Sequence, residues 1–266
     1  MHGHQTIRVS RDGLVETILL NRPERRNALN PVLISELIGA FESARLNDAG
    51  VVILSGAGSS FCAGLDLEHL QTMQDRTPTE HRQESAQIAR LFRTLYDLHK
   101  PTIAAVNGPA IAGGTGLATI CDFTLATPQA KFGYTEVRIG FIPAIVSSFL
   151  LRQVGEKKAR DLMLTGRLID AQEALEMGLV TRIVAEDKLM SEAQELAQRL
   201  LKNSPDALGA VKRLLSTYAE SSLDSEIEEA LEQNARARET ADFREGIASF
   251  LEKRAPQWPS RKRRHT

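Results

Sequence analysis

Short β-branched runs alternate with apolar stripes at three- and four-residue spacing up to about residue 200; beyond that only the helical spacing remains. The run Leu14-Val15-Glu16-Thr17-Ile18-Leu19-Leu20 predicts a strand that ends in the turn Asn21-Arg22-Pro23. Asn30-Pro31 predicts a helix start, Asn as the cap and Pro in the first turn, followed by the stripe Leu33, Leu37, Phe41 and Ala44. Val51-Val52-Ile53-Leu54 reads as a buried strand feeding the loop Gly56-Ala57-Gly58, and residues 72–84, polar and weakly patterned, read as a mobile segment. Ile88, Leu91, Leu95 and Leu98 mark a helix that must stop before Pro101. Residues 102–106 and 123–126 predict strands on either side of a glycine-rich stretch. From Val146 the chain turns helical. Asp170 and Glu173 have capping-box spacing, Gly178 closes that helix, and residues 179–184 form a short strand. Leu189, Leu196 and Leu200, then Ser204-Pro205, then Ile227, Leu231, Phe243, Ile247 and Phe250 belong to helices. The pattern predicts an α/β core over residues 1–200 and a helical region over residues 201–266, packed together without a low-complexity linker.

Composition narrows the class. The 266 residues hold 33 Lys+Arg against 34 Asp+Glu, a net charge of −1, with 42 % hydrophobic residues. That balance is globular and argues against a nucleic-acid binder, the basic run Arg261-Lys262-Arg263-Arg264 reading as a solvated end. Cys62 and Cys121 are too few for a disulfide scaffold and fit a reducing cytosol, where they pack as small hydrophobes. The start of the chain lacks the features of a signal peptide or presequence, so a cytoplasmic protein is expected. Residues 101–121 carry no charge and are long enough to cross a bilayer, but Pro101, Asn107, Pro109 and the glycines at 108, 113, 114 and 116 break them up; no membrane span is expected.

Two glycine loops invite nucleotide-binding readings that fail on detail. After Gly56 and Gly58 the third glycine of G-x-G-x-x-G would fall on Phe61, and after Gly108 and Gly113 the Walker lysine position holds Gly114. Zinc spacings and a G-x-S-x-G elbow are absent, so no metal is expected; His69, His81 and His99 form no metal-site pair. Two loops of small residues remain, Phe61-Cys62-Ala63-Gly64-Leu65-Asp66 and Ala112-Gly113-Gly114-Thr115-Gly116. Each glycine in a helix costs about 1 kcal/mol relative to alanine. Two reasons fit that cost: close approach of backbone to a ligand, or tight helix–strand packing.

The chain resembles the crotonase family, the enoyl-CoA hydratase/isomerase superfamily. Asn21-Arg22-Pro23 with Asn27-Ala28-Leu29, residues 61–66, Ala105-Val106-Asn107-Gly108-Pro109-Ala110-Ile111-Ala112-Gly113-Gly114 and Phe132-Gly133-Tyr134-Thr135-Glu136-Val137-Arg138-Ile139-Gly140 carry the likeness. Leu164-Thr165-Gly166, Ala174, Gly178-Leu179-Val180 and Glu245-Gly246-Ile247 through Arg254 extend it over nearly the whole chain. It implies a crotonase-like α/β fold, a spiral of strand–strand–helix turns, with C-terminal helices that make a homotrimer, paired into hexamers. It also implies an acyl-CoA thioester substrate, the coenzyme A being part of that substrate, and no separate cofactor.

By position, the resemblance makes the backbone N–H groups of Leu65 and Gly113 the donors that hold the thioester oxygen, each worth about 3–4 kcal/mol in the transition state. Ala63 and Asp66 would line the adenine and pantetheine path, and Arg22, Arg25 and Lys253 would meet the phosphates, although surface arginines mostly contact only water. Of the two carboxylates of the family's hydratases, Glu136 is present and the other position holds Gly116. A lone Glu beside Arg138 could be a surface ion pair; the resemblance makes it the general acid/base, its pKa raised by burial near Phe132 and Tyr134. Tyr134 either touches the acyl chain or fills the core. The segment Thr135 to Ile145, with Pro143-Ala144-Ile145, is similar to single-glutamate hydratases such as those acting on 3-methylglutaconyl-CoA, and Gly116 would leave room for a branched acyl group. Hydration of a 2-enoyl-CoA is thus expected, with an enoyl-CoA isomerase or a non-catalytic acyl-CoA-binding homologue as alternatives.

Overall fold

The apolar runs assemble into one large and one small sheet. The structure, a computed structural model, describes residues 4–72 and 76–259, without the side chains of residues 218–223. Its strands are β1 (Ile7–Asp12), β2 (Val15–Leu20), β3 (Val51–Gly56), β4 (Thr102–Val106), β5 (Ala110–Ile111), β6 (Phe123–Ala126), β7 (Lys131–Gly133), β8 (Ile169–Asp170) and β9 (Arg182–Ile183). Its helices are α1 (Pro31–Leu46), α2 (Leu67–Gln71), α3 (Pro78–Tyr96), α4 (Gly113–Ile120), α5 (Ala144–Thr165), α6 (Ala171–Met177), α7 (Leu189–Leu200), α8 (Pro205–Arg238) and α9 (Ala241–Leu251). The large sheet runs β1-β2-β3-β4-β6-β9, antiparallel at β1 and parallel from β2 onward, with Ile18 opposite Leu54 and Leu54 opposite Ala104. Every residue of β3 and β4 is buried, because a parallel sheet is covered on both faces; hence their continuous apolar runs.

Each crossover adds a short strand to the small sheet before its helix: β4, β5, α4, and then β6, β7 and α5. The isolated bridges Leu29–Leu65 and Cys62–Ala110 continue the small sheet into the earlier turns, so the chain climbs as a spiral of strand–strand–helix units. One core lies between the large sheet and α1, α3, α4 and α5, and a second joins Val51, Ile53, Ile103 and Leu125 to Ala193 and Ala197 of α7. The long helix α8 lies along α3 and α5.

Caps set several boundaries where the residues predict them. Asn30 accepts from the Leu33 N–H at 2.9 Å, and Asp170 from the Glu173 N–H at 2.9 Å. One expectation is corrected. The polar stretch 72–84 is helical from Pro78, because Thr77 and Glu80 close a reciprocal capping box and His81 and Ser85 are buried beneath it; residues 73–75 lie outside the described residues, as does the basic run 261–264. Asp122 orders its surroundings by accepting from the Thr102 N–H and hydroxyl at 2.7 and 2.9 Å. Both cysteines are buried thiols, which burial pushes up to about 12, so neither is a nucleophile near neutral pH. Among the described residues no helix is long and apolar enough to cross a membrane, and no group of three His, Cys, Asp or Glu could hold a metal ion.

Candidate active site

Two loops press together beneath a cavity of about 720 Å3. The Leu65 segment bridges to Leu29: Leu29 N–H donates to Gly64 O at 2.7 Å, and Asp66 N–H donates to Leu29 O at 2.9 Å. Successive amides of an extended chain point to opposite sides, so the Leu65 N–H faces away from Leu29. On that side lies the start of α4, since a Cβ on Gly64 would stand 3.6 Å from the Gly113 nitrogen and 2.9 Å from Ile111 O. Among the described residues no acceptor takes the N–H of Leu65 or of Gly113, and both residues line the cavity. Ala112 holds φ 54° and ψ −123° just before α4. That conformation costs a non-glycine residue about 1–3 kcal/mol, strain kept at the turn that presents the Gly113 amide.

The two explanations for the glycines divide among residues. A Cβ on Gly114 would stand 2.1 Å from Cys62 O, so Gly114 serves packing; a Cβ on Gly113 would meet Leu29 Cδ1 at 3.4 Å and Phe92 Cζ at 3.6 Å, ordinary contacts on the cavity wall.

Glu136 opens a 3-10 turn, Glu136–Ile139, on another wall of the cavity. It is 9 % exposed, and its Oε2 is buried without a hydrogen-bond partner. Desolvation pushes the carboxyl from an ordinary 4.5 up to about 7, against a smaller pull from its own backbone amide. No ion pair with Arg138 forms among the described residues; the arginine is exposed at the rim. The turn is buried by α9, which approaches closely because Gly140 and Gly246 lack side chains: a Cβ on either would stand 2.5 Å or less from a backbone oxygen across the contact. Phe141 and Phe243 seal it with rings 4.9 Å apart.

The cavity brings together Ala63, Leu65, Asp66, Gly113, Glu136 and, at its mouth, Arg25. Four expected site residues, Arg22, Tyr134, Lys253 and Gly116, fall elsewhere. Arg22 is held by Asp66 at 3.1 Å and by Ala28 O, which leaves its guanidinium committed within the protein. Tyr134, 1 % exposed, fills the core rather than the cavity wall, and burial pushes its phenol up. Lys253 is exposed beyond α9, off the wall. Arg25 itself pairs with Glu68, an exposed pair worth little. Sequence reasoning missed Arg26 at the rim, and Phe92, Val146 and Asn234 on the wall. Arg26 sits beside Asn27, and both adopt positive φ there.

Gly116 corrects an expectation. It is off the cavity wall, and a Cβ there would stand 2.5 Å from Val146 Cγ1 and 3.1 Å from Phe92 Cε1. The space of the missing side chain is filled by Val146, so Gly116 provides no room for a branched acyl group. Gly116→Ala is expected to destabilise the protein by about 1–3 kcal/mol through overpacking against a stiff β-branched neighbour. Adding Val146→Ala should recover much of that loss, a coupling that thermal melts of the two single variants and the double variant would reveal.

Comparison with known proteins agrees with this architecture. The family model for enoyl-CoA hydratase/isomerase matches residues 11–261. A Thermus thermophilus chain given a provisional enoyl-CoA hydratase name is 45 % identical over 248 residues, covering 92 % of this chain and 98 % of its own. The short-chain-enoyl-CoA hydratase of Clostridium acetobutylicum is 35 % identical, covering 92 % of this chain and 94 % of its own. The crystal structure of an enoyl-CoA hydratase/isomerase from Xanthobacter autotrophicus superposes with a TM-score of 0.88 at 31 % identity, over 94 % of this chain and 97 % of that one. With the model matched along nearly the whole chain and these relatives aligned end to end, the protein belongs to the enoyl-CoA hydratase/isomerase family.

Proposed function

We propose that the protein hydrates 2-enoyl-CoA thioesters, holding the thioester oxygen between the N–H groups of Leu65 and Gly113 while Glu136 moves the proton. As water adds to C3, the Glu136 carboxylate takes its proton and the electrons of the double bond shift onto the thioester oxygen. The enolate is stabilised by the two amides and by the start of α4. Glu136 then returns the proton to C2, so one water is added and no redox partner is needed. The observation that carries this reading is Glu136 itself: a buried carboxyl, its Oε2 without a partner, on the wall of the cavity that the two amides line. The coenzyme would leave past Ala63 and Asp66, its phosphates near Arg25 and Arg26 rather than Arg22. Exposed Leu151 and Leu164 on α5 support the homotrimer or hexamer as part of the same reading.

A single carboxylate also suits an isomerase, which would move a proton between C2 and C4. Incubation with crotonyl-CoA and with a 3-enoyl-CoA separates the two: hydration lowers the conjugated thioester absorbance of the first, isomerisation raises it with the second. Coenzyme binding with neither change would leave an acyl-CoA-binding protein. For the hydratase, kcat/KM for crotonyl-CoA is expected to rise with pH through about 7, as Glu136 becomes the carboxylate the base step needs. A profile flat from pH 5.5 to 8 would remove Glu136 as the base.

A further inference from the structure

The cavity wall carries a polar group that this hydration leaves idle. Asn234 on α8 is 4 % exposed and lines the cavity. Its Oδ1 accepts the hydroxyl of Ser85 on α3 at 2.7 Å, and Ser85 is itself fully buried. Among the described residues no acceptor takes the Nδ2 hydrogens of Asn234. A tie between α3 and α8 needs the oxygen alone; the amide nitrogen keeps some exposure in a residue that lines the cavity, so its hydrogens are open to an incoming acceptor.

Position says what the donor could meet. Ser85, Ile88 and Phe92 follow one another along α3, and Ile88 and Phe92 line the cavity with Asn234. Phe92 marks the reacting end, its Cζ 3.6 Å from where a Cβ on Gly113 would stand. Seven residues of helix span about 10 Å, so the Ser85 anchor lies two turns from that end. Between them on α3 stands the apolar Ile88, and Leu70 and Phe141 add apolar surface to the same cavity. One turn further along α8, Arg238 lies 3.4 Å from Glu84 and 5.5 Å from the centre of the Phe141 ring, so both charge signs stand behind the wall. The amide therefore selects for a hydrogen-bond acceptor rather than for charge.

We infer that Asn234 is a specificity-determining residue whose amide donates to an oxygen at the distal end of the acyl chain, so that the preferred substrate is a 2-enoyl thioester with a carbonyl or carboxylate tail rather than a plain hydrocarbon one. This rests on the hydratase reading above. The test compares kcat/KM for hex-2-enoyl-CoA with that for the same six-carbon chain ending in a methyl ketone or a carboxylate. The wild type should favour an oxygenated tail roughly 10–100-fold, and Asn234→Leu, which keeps the γ-branched outline without the donor, should bring the ratio close to one. Ser85→Ala, which removes the anchor, should lower the ratio several-fold and serves where the leucine variant does not fold. Calorimetry with the corresponding saturated acyl-CoAs reads the same preference without turnover. A binding preference that disappears in the variants while no thioester is hydrated would uphold Asn234 and overturn the hydratase reading. A wild type without preference for an oxygenated tail, or a preference unchanged in both variants, would overturn the role of Asn234.

Discussion

Glu136→Gln is expected to lower kcat for hydration by about 10²–10⁴-fold while acyl-CoA affinity changes little, because the amide keeps the shape of the wall and loses the proton transfer. Persistent turnover would remove the residue from the mechanism. The same substitution has a second, independent signature in stability. The carboxyl titrates at about 7 in the fold against 4.5 when free, so folding favours the neutral acid. The cost of burying the charge is absent below about pH 4.5, grows as pH rises towards 7, and is fully present above it. Its size is about 3 kcal/mol, lost from the wild type at alkaline pH. Glu136→Gln escapes this cost but must bury an amide in its place. Its melting temperature relative to wild type should therefore climb from pH 4.5 to pH 8. A difference that stays constant with pH would mean that Glu136 is hydrated in the native protein, and with it the case for a poised base would fail.

How much of this was legible depended on whether the cause lay near in sequence. Strands β4 and β6 match their expected bounds because strands buried along all or nearly all their length are mostly apolar, and α1 begins at Pro31 because Asn30 acts within three residues. The edge strand β1 has a single buried residue, Ile7, and β5, β7 and β8 are two or three residues long, too short for periodicity to register. The box Thr77 to Glu80 was visible and carried the start of α3, but the polar residues around it masked the signal. In the site, the two amide donors are main-chain atoms; no side-chain pattern marks them, and they entered through family resemblance. Arg22 looked available because its partner Asp66 lies 44 residues away. Gly116 looked like open space because nothing in its neighbourhood announces Val146. Asn234 was invisible for the same reason, since its anchor Ser85 is 149 residues distant.

Gly114→Ala is expected to cost about 3–5 kcal/mol, near the upper end for a single substitution, although alanine is the better helix former. The added methyl would lie 2.1 Å from Cys62 O and 2.8 Å from its carbonyl carbon. No rotamer relieves a contact with backbone, and Cys62 is pinned on both sides: its O accepts the Ile111 N–H at 2.9 Å, and its N–H donates to Pro109 O at 3.2 Å. Either the loop or the first turn of α4 must move, and each carries one of the two amides. Loss of one aligned donor lowers kcat by about 10²–10³-fold, so the surviving folded fraction should be slow as well as unstable. Gly113→Ala supplies the contrast. Its methyl reaches Leu29 Cδ1 and Phe92 Cζ at ordinary contact distance, so stability should change by about 1 kcal/mol or less. Its effect should fall on the thioester, as a raised KM with a near-normal melting temperature. Should both variants melt together and turn over alike, the division between a packing glycine and a ligand-facing glycine would be wrong, and the α4 start would owe its sequence to helix–loop packing alone.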